Sequence, residues 1–317
     1  MFKKLFLPVG ILLAVIWSLI HPAAGLFCKE YITTPAMIVA IFLVSGMQVK
    51  FNELKIDRKF IFALIFGSVF TLALLPFSGW LALHWISWDK ALLAGLLVML
   101  AAPPTLSSGI VMTQQSNGNM MLSIAITVFY NLIAIVTLPL VLGFLLNASN
   151  TGNVDSWKMF KQLVFTVMIP LFIGYGIKKY IFRNWYHKLI DYVSLIATIM
   201  LSLAFFAAAR DSILAIPLMT VITVLITALI FHFFSMAALW FIGRILRMSV
   251  ADTKAMIFCG ASKSATMALA MVAIAGLGST AAAVPCLLFY ALQLFLDAML
   301  ANCARNWSDK ASAGEKA

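Results

Sequence analysis

The fold of this chain is decided by a ten-residue stretch, Leu100-Ala101-Ala102-Pro103-Pro104-Thr105-Leu106-Ser107-Ser108-Gly109. It interrupts an apolar run at 90–114, and a helix needs roughly 20 such residues to cross a bilayer. Pro103 and Pro104 remove two backbone donors and clash with the preceding turn, so a continuous helix is not expected. The alternative interpretation is a simple proline kink.

A second apolar run, at 252–275, is interrupted by Phe258-Cys259-Gly260-Ala261-Ser262-Lys263-Ser264-Ala265-Thr266. This segment has no proline, but a glycine and a Ser-Lys-Ser cluster lie at its middle. Unwound backbone is tolerated inside a membrane only where protein or a wet cavity satisfies its polar groups. Two broken helices near the midplane therefore predict a site for a transported solute.

The composition places the chain in a membrane. Its 317 residues are 63% hydrophobic and 10% charged, whereas soluble domains carry about 25% charged residues, and the mean hydropathy is +1.04. A soluble enzyme and a disordered chain are excluded. The net charge of +11 comes from small clusters between apolar runs, which indicates membrane topology rather than a nucleic-acid partner. The four cysteines have neither disulfide-framework nor zinc-site spacing.

Hydropathy predicts an all-α polytopic membrane protein with ten transmembrane helices. The spans fall near 5–21, 34–50, 60–86, 90–114, 119–146, 158–180, 189–208, 212–243, 252–275 and 279–304. Most Lys and Arg residues lie in the loops on the side of the termini, so both termini are expected in the cytoplasm. We expect the membrane to be a bacterial inner membrane. The polar tail, 308–317, is expected to be disordered.

The two halves of the chain resemble each other weakly. Asp89-Lys90-Ala91 is matched by Thr253-Lys254-Ala255, and Phe129-Tyr130-Asn131-Leu132 by Phe289-Tyr290-Ala291-Leu292. These offsets predict two five-helix repeats, 1–157 and 158–307. Because five is odd, the second repeat enters the membrane from the opposite face, which is typical of secondary transporters.

Polar side chains recur at helical spacing beside the two breaks. Ser123, Thr127 and Asn131 are four residues apart and therefore share one face of span 5. Gln293 and Asp297 likewise share one face of span 10. Single hydroxyls often bond to their own backbone or hold helices together, but such stripes next to a broken helix favour a lining of the site.

Lys263 and Asp297 are the two formally charged residues that the sequence places deep within the spans. A charge there costs at least about 2.5–3.5 kcal/mol, so each is a functional candidate. Either they form a bridge between spans 9 and 10, or the Lys263 ammonium occupies a cation position between the broken helices. His84 and His232 lack clear metal-ligand spacing and are interpreted as interfacial or packing residues.

Residues 103–119, with Pro-Pro-Thr-Leu-Ser-Ser-Gly and an Asn-Gly-Asn turn, and residues 258–264, with Phe-Cys-Gly-Ala-Ser-Lys-Ser, resemble the bile acid:sodium symporter superfamily. The resemblance is to its symporter-like branch, related to vertebrate solute carrier family 10 member 7. It implies that discontinuous spans 4 and 9 cross in a core domain of spans 3–5 and 8–10. A panel domain of spans 1, 2, 6 and 7 would lie beside this core and move relative to it.

The resemblance also bears on the coupling ion. In sodium-coupled members, a Ser-Asn pair after the span 4 break and a Ser and a Thr on span 5 help to bind two sodium ions. Ser123 and Thr127 match the span 5 pair, and Ser107 and Ser108 lie near the Ser-Asn pair. Ser123 and Thr127 are accordingly candidate sodium ligands.

Span 9 departs from that sodium-binding pattern. Sodium-coupled members use a Glu and a Gln there, whereas this chain has Phe258 in place of the acid and Ser262 in place of the amide, with Lys263 following. Loss of a carboxylate and gain of an ammonium argue against the usual two-sodium arrangement.

We therefore expect a secondary transporter that moves a small organic anion by alternating access, with Lys263 supplying the positive charge. The coupling ion would be sodium or a proton, and the partners would be the organic solute and the lipid bilayer; no other cofactor is expected. The candidate binding residues are Pro103, Pro104, Thr105, Ser107, Ser108, Asn119, Ser123, Thr127, Asn131, Ser262, Lys263, Ser264, Gln293 and Asp297.

Two alternative functions remain open at this point. One is proton-coupled cation exchange with Asp297 and Lys263 as carriers, and the other is a non-transporting regulator of ion homeostasis. An enzyme is not expected, since the sequence shows no nucleophile–base pair, paired catalytic acids or metal-ligand motif.

Overall fold

The computed structural model describes residues 2–32, 34–48, 58–86, 88–105, 108–151, 155–180, 189–208, 210–277 and 281–307. These residues are almost entirely helical and include no strand. The predicted tail at 308–317 lies outside the described residues.

The chain forms sixteen helices within the described ranges. They are α1 (Phe2–Ile20), α2 (Ala23–Tyr31), α3 (Thr34–Gln48), α4 (Arg58–Val69), α5 (Leu75–Leu83), α6 (Lys90–Ala101), α7 (Ser108–Gln115), α8 (Met120–Ala148), α9 (Ser156–Leu163), α10 (Ile169–Tyr180), α11 (Leu189–Ala208), α12 (Arg210–Leu214), α13 (Leu218–Ile245), α14 (Val250–Ala261), α15 (Ala265–Ile274) and α16 (Ala283–Ala304). A π-helical turn, Phe70–Leu74, joins α4 to α5, and another, Val164–Met168, joins α9 to α10.

Six helical segments of the described chain are long and apolar enough to cross a membrane. They are Phe60–Leu83, Met120–Ala148, Ser156–Tyr180, Leu218–Ile245, Val250–Ile274 and Ala283–Ala304. The bent pair α2–α3 would make a seventh. Helices also lie at the other predicted positions, but the full count of ten membrane crossings is not confirmed.

The helix α2 is not predicted from the sequence. This nine-residue helix lies before predicted span 2, and Ala23–Tyr31 meets Pro35–Val44 at an angle of 78°. Pro22 stands at its N-cap, where a missing backbone donor costs nothing. The chain therefore enters predicted span 2 through a sharp corner rather than through a loop.

The two predicted interruptions are real breaks in the helices. Residues 102–105 are non-helical between α6 and α7, and residues 262–264 are non-helical between α14 and α15. Asp89 caps α6 by accepting bonds from the backbone N–H groups of Ala91 and Leu92, and Ser249 caps α14 through the N–H of Asp252.

These helix starts correct one part of the repeat alignment. The helices α6 and α14 begin at Lys90 and Val250 and each has 12 residues. Lys90 is therefore structurally equivalent to Val250 and not to Lys254. Lys254 lies one turn further along α14 and is buried. The Lys90–Lys254 match was wrong as a structural equivalence.

The halves of the broken helices pack crosswise. The helix α14 lies against α7, and α15 lies against α6, while α16 contacts α6, α7 and α15 and α13 contacts α14 and α16. Elsewhere, α11 packs on α1, α2 and α3, and α3 packs on α10. The site is thus built from the α4–α8 and α13–α16 segments.

Glycines bring α3 and α10 into close contact. A Cβ added to Gly46 would lie 1.9 Å from the carbonyl oxygen of Leu171, and one added to Gly174 would lie 1.9 Å from that of Leu43. The clash is with backbone on both sides, so no rotamer change relieves it. Small residues are the usual means of close helix approach in membranes.

We expect Gly174→Ala to lower the thermal unfolding midpoint of the purified protein in lipid nanodiscs, because overpacking costs about 1–3 kcal/mol and here the obstacle is backbone. Gly176, two residues away on the same helix, has nothing within 4 Å of an added Cβ, so Gly176→Ala is the matched control. That control should leave the midpoint unchanged or raise it, since alanine favours helix over glycine by about 1 kcal/mol. Equal effects of the two changes would contradict the packing described.

Candidate functional site

The two broken helices meet at their breaks. The backbone N–H of Ser264 donates to the carbonyl oxygen of Pro103 over 2.9 Å, so a main-chain hydrogen bond joins the two unwound segments directly. The Ser264 side chain also caps α15 by accepting from the N–H of Met267. The helix α15 therefore begins next to the break of span 4.

Lys263 places its ammonium group among main-chain carbonyls. Its Nζ donates to the carbonyl oxygen of Thr71 over 3.1 Å and to that of Ala102 over 3.0 Å, and the side chain is fully buried. Ala102 is the first residue after α6. An ammonium held by carbonyl oxygens stabilises the end of a broken helix, because that end carries partial negative charge.

Thr71 lies in the π-helical turn between α4 and α5. Its hydroxyl donates to the carbonyl oxygen of Gly260 over 3.2 Å while its own carbonyl accepts from Lys263. The π turn therefore makes two hydrogen bonds with span 9, one at the end of α14 and one at the break. Such turns are frequent at functional sites.

Gln293 on α16 pairs with the backbone of Lys263. Its Oε1 accepts from the Lys263 N–H over 2.9 Å, and its Nε2 donates to the Lys263 carbonyl over 2.6 Å. Both side-chain functions of this buried amide are used. The pairing supplies the bonds that a continuous helix would have given to this residue.

The break of span 4 is supported from α8. The Asn131 Nδ2 donates to the carbonyl oxygen of Pro104 over 3.0 Å and to that of Thr127 over 2.7 Å. Thr105 and Ser108 bond to each other through their hydroxyl groups. Ser107 lies outside the described residues.

Asp297 contacts the break of span 9 through Ser262. The Ser262 hydroxyl lies 3.2 Å from Asp297 Oδ2 and 2.6 Å from the carbonyl oxygen of Phe258. The other carboxylate oxygen, Oδ1, lies 3.0 Å from His232 Nε2. Both Asp297 and His232 are almost completely buried.

Two interpretations from the sequence are corrected by this geometry. The Lys263–Asp297 bridge is wrong, because Nζ contacts carbonyl oxygens and Asp297 instead contacts His232 within the described chain. His232 is likewise more than a packing residue. Both corrections depend on helix rotation, which one sequence does not fix.

Two hydroxyl groups of the stripe on α8 face the thiol of Cys259 on α14. Ser123 donates to the carbonyl oxygen of Met120, and Thr127 to that of Ser123. The hydroxyls of Thr113, Ser123 and Thr127 surround the thiol of Cys259. Across the described residues, no group of three or more His, Cys, Asp or Glu side chains is placed to hold a metal ion.

Asn119 lies at the other end of the core from the breaks. It caps α8 at Leu122, and its Nδ2 donates to Asp252 Oδ1 over 2.7 Å at the start of α14. Asp252 lies ten residues before Ser262, where the break of span 9 begins, or about 15 Å along the helix at 1.5 Å per residue. The structure therefore does not bring Asn119 to the crossing.

Lys254 is a second buried lysine that the sequence places among the surface charges. Its Nζ donates to the carbonyl oxygens of Ser116 over 2.7 Å and Trp307 over 2.9 Å. It thereby joins the end of α7 and the end of the described chain to α14. No sequence signal distinguishes it from a loop lysine, because its burial depends on the α7 and α16 ends that cover it.

A cavity of about 200 Å³ lies away from the crossing. It opens between α2, α3, α9 and α11 on one side and the end of α15 on the other. Lys29 and Gln162 supply polar groups to its lining, and Ile38, Phe205 and Ala273 supply apolar surface. None of the binding residues predicted from the sequence lines it.

Comparison with known proteins relates the chain to transporters. A family model described as the SBF-like CPA transporter family matches residues 5–306. The chain is 28% identical to sodium/bile acid cotransporter 7-A of Xenopus laevis, over 96% of this chain and 93% of that protein. It is 27% identical to sodium/bile acid cotransporter 7 of Mus musculus, over 99% and 96% of the two chains.

A plant protein gives a shorter match. The chain is 30% identical to a probable chloroplastic sodium/metabolite cotransporter, BASS4, of Oryza sativa subsp. indica, over 53% of this chain and 40% of that protein.

We expect Gln293→Leu to destabilise the protein by about 2–6 kcal/mol, because it leaves a buried N–H and a buried carbonyl of Lys263 without their partner, at about 1–3 kcal/mol each. The measurement is the thermal unfolding midpoint in nanodiscs, followed by tryptophan fluorescence. Gln114→Leu, at an exposed glutamine of α7, is the matched control and should shift the midpoint much less. A Gln293→Leu protein that unfolds with the wild type would show that the pairing does not support the break.

Proposed function

The chain belongs to the SBF-like CPA transporter family, and from this premise we propose that it is a secondary transporter that carries a small organic anion by alternating access. Its family and its relatives are transporters, not enzymes. The observation that carries the proposal is the Lys263 ammonium, held between main-chain carbonyls where two broken helices meet.

The architecture we propose is that of ten membrane crossings in two inverted repeats. Two broken helices whose first halves have equal lengths support it, since Lys90–Ala101 and Val250–Ala261 start 160 positions apart. Phe129-Tyr130 and Phe289-Tyr290 have the same offset. Repeats of odd helix number give the two opposed arrangements that alternating access requires.

We assign the moving parts from the packing. The α4–α8 and α13–α16 segments would form the core, and α1–α3 with α9–α11 would form the panel. The cavity lined by Lys29, Gln162 and Ala273 lies between these groups, as a substrate path between two relatively moving bodies requires. Its lining combines apolar surface with one cation, which suits an amphipathic anion.

The membrane placement rests on charge distribution. Lys178 and Lys179 stand in the last turn of α10 and Arg244 in the last turn of α13, all on the side that also holds the termini in the ten-helix arrangement. The positive-inside rule puts this side in the cytoplasm. We propose a multi-pass protein of a bacterial inner membrane with both termini cytoplasmic.

Lys263 replaces a bound cation in this proposal. A span 5 stripe of hydroxyl groups facing a thiol offers weak ligands for sodium, because hard cations prefer several oxygen ligands with carboxylates among them. The ammonium instead supplies a positive charge at the crossing. Such a charge, together with helix N-termini, favours an anionic solute.

We expect the purified protein in liposomes to take up an organic anion without sodium, and Lys263→Met to reduce the uptake rate at least about tenfold. The substitution removes the ammonium that would attract the anion; a hydrogen bond to a charged group contributes about 1.5–3 kcal/mol, and every 1.4 kcal/mol corresponds to tenfold. The measurement is uptake of radiolabelled taurocholate, with and without sodium.

Lys254→Met is the matched control for that experiment. It also removes a buried ammonium from two carbonyl oxygens, but far from the crossing, so it should cost stability while keeping more transport per folded molecule. Strict sodium dependence of transport by the wild type would contradict the proposal that Lys263 replaces a bound cation. Normal transport by Lys263→Met would make that lysine purely structural.

Lys29 is the cation in the lining of the cavity. Lys29→Gln should raise the KM for taurocholate about 1.5- to 5-fold at low salt, because an exposed charge interaction contributes about 0.2–1 kcal/mol. The effect should shrink as salt screens it. Lys90→Gln, at an exposed lysine outside the cavity lining, should leave the KM unchanged. An equal effect of both changes would show that Lys29 acts only through overall charge.

A further inference from the structure

The core contains a buried acid–histidine pair that the proposed role of Lys263 does not use. His232 Nε2 on α13 lies 3.0 Å from Asp297 Oδ1 on α16, and the side chains are 1% and 2% exposed. An isolated carboxylate in a membrane is costly, so a residue of this kind is rare outside pathways for ions or protons.

This pair is connected to the crossing. Asp297 Oδ2 lies 3.2 Å from the Ser262 hydroxyl, and Ser262 is the first residue of the span 9 break. Its neighbour, Lys263, carries the ammonium that spans the two broken helices. A change of charge on the pair therefore acts on the segment that holds the crossing together.

The pair has one open position for a proton. A carboxylate accepts hydrogen bonds only, so His232 Nε2 carries the hydrogen that is donated to Asp297. The remaining nitrogen, Nδ1, is buried and has no hydrogen-bond partner among the described residues. A proton taken up by the pair is therefore expected at Nδ1, which converts a neutral imidazole into an imidazolium.

The surroundings hold few other groups that titrate. From α14, Cys259 faces the pair, while the Lys263 ammonium bonds to the carbonyl oxygens of Thr71 and Ala102 and Lys254 is engaged at the far end of α14. On α16 itself, Tyr290 lies two turns before Asp297. Within their described ranges, α7 and α15 carry no titratable side chain, and those of α4 and α6 lie in their first turns. The opposite face of His232 meets the ring of Phe289.

We propose that the His232–Asp297 pair is the site of a coupling proton, so that the protein moves one proton together with one monovalent organic anion. The inference rests on the proposed transport function and names its coupling ion. When the pair has not bound this proton, the positive charge of the Lys263 ammonium and the negative charge of the Asp297 carboxylate cancel. With the proton bound, the core carries one net positive charge, which balances one anionic substrate during the crossing.

This balance has a physical advantage. A net charge is expensive in a medium of low dielectric constant, so a loaded core that is neutral and an empty core that is neutral are the two forms best able to change orientation. The proton is released from Nδ1 on the opposite side as the anion leaves, and no other bond is made or broken.

The transport test uses the full-length protein in sodium-free liposomes with taurocholate as the probe, a strong acid that does not cross lipid as a neutral species. An inside-alkaline gradient of one pH unit should concentrate taurocholate about tenfold, because one pH unit corresponds to about 1.4 kcal/mol for each proton moved. His232→Gln and Asp297→Asn should each reduce this accumulation to about onefold. His84→Gln and Asp211→Asn, at exposed positions, are the matched controls and should keep it.

A second measurement does not depend on transport. The four histidines of the chain are labelled with nitrogen-15 in nanodiscs, and the His232 signals are assigned from their loss in His232→Gln. As the pH is lowered from 9 to 5, the Nδ1 signal should change from an unprotonated to a protonated position, and Asp297→Asn should alter that change.

The outcomes separate the two proposals. An unchanged Nδ1 signal across the range, or full accumulation by both variants, overturns the proton site. Accumulation driven by sodium and not by the pH gradient overturns it as well. If the wild type accumulates no taurocholate while Nδ1 titrates and responds to Asp297→Asn, the site is supported and the anion assignment fails.

Discussion

The structure depends on one constraint: backbone polar groups inside a hydrocarbon layer need partners, and an interrupted helix leaves several without them. This chain supplies those partners from neighbouring helices. Lys263, Gln293 and Asn131 together satisfy carbonyl and N–H groups of both breaks, and Ser264 joins the breaks through the main chain. The bonds from Lys263 to Ala102 and from Ser264 to Pro103 make each break a support for the other.

Much of this arrangement is predictable from the sequence because it follows from composition and local chemistry. Membrane character follows from hydropathy, and the break at Pro103-Pro104 follows from the missing backbone donors. The family predicted from the residues around both breaks is the one that the chain belongs to. Asn131 and Gln293 were placed beside the breaks by helical spacing alone, and the structure puts both against unwound backbone.

The remainder depends on tertiary contacts. The π turn at Phe70–Leu74 has a local signal in Pro76, which lacks a backbone donor for the preceding turn. The bonds of Thr71 to Gly260 and Lys263, however, depend on how the helices pack. His232 and Asp297 lie 65 positions apart on separate helices, and their meeting depends on helix rotations that hydropathy does not determine. The bend between α2 and α3 likewise has only Pro22 and Pro35 as local signals.

The attachment of the Lys263 ammonium to the chain has a thermodynamic consequence. An ion from solution occupies its site according to its concentration, whereas a tethered group has an effective concentration fixed by its linker. The occupancy of this position by the lysine is therefore independent of the sodium concentration on either side. For the same reason the ammonium returns to its starting point in every cycle and transfers no free energy from any gradient, so uphill transport by this chain has to draw its work from a different, diffusible species.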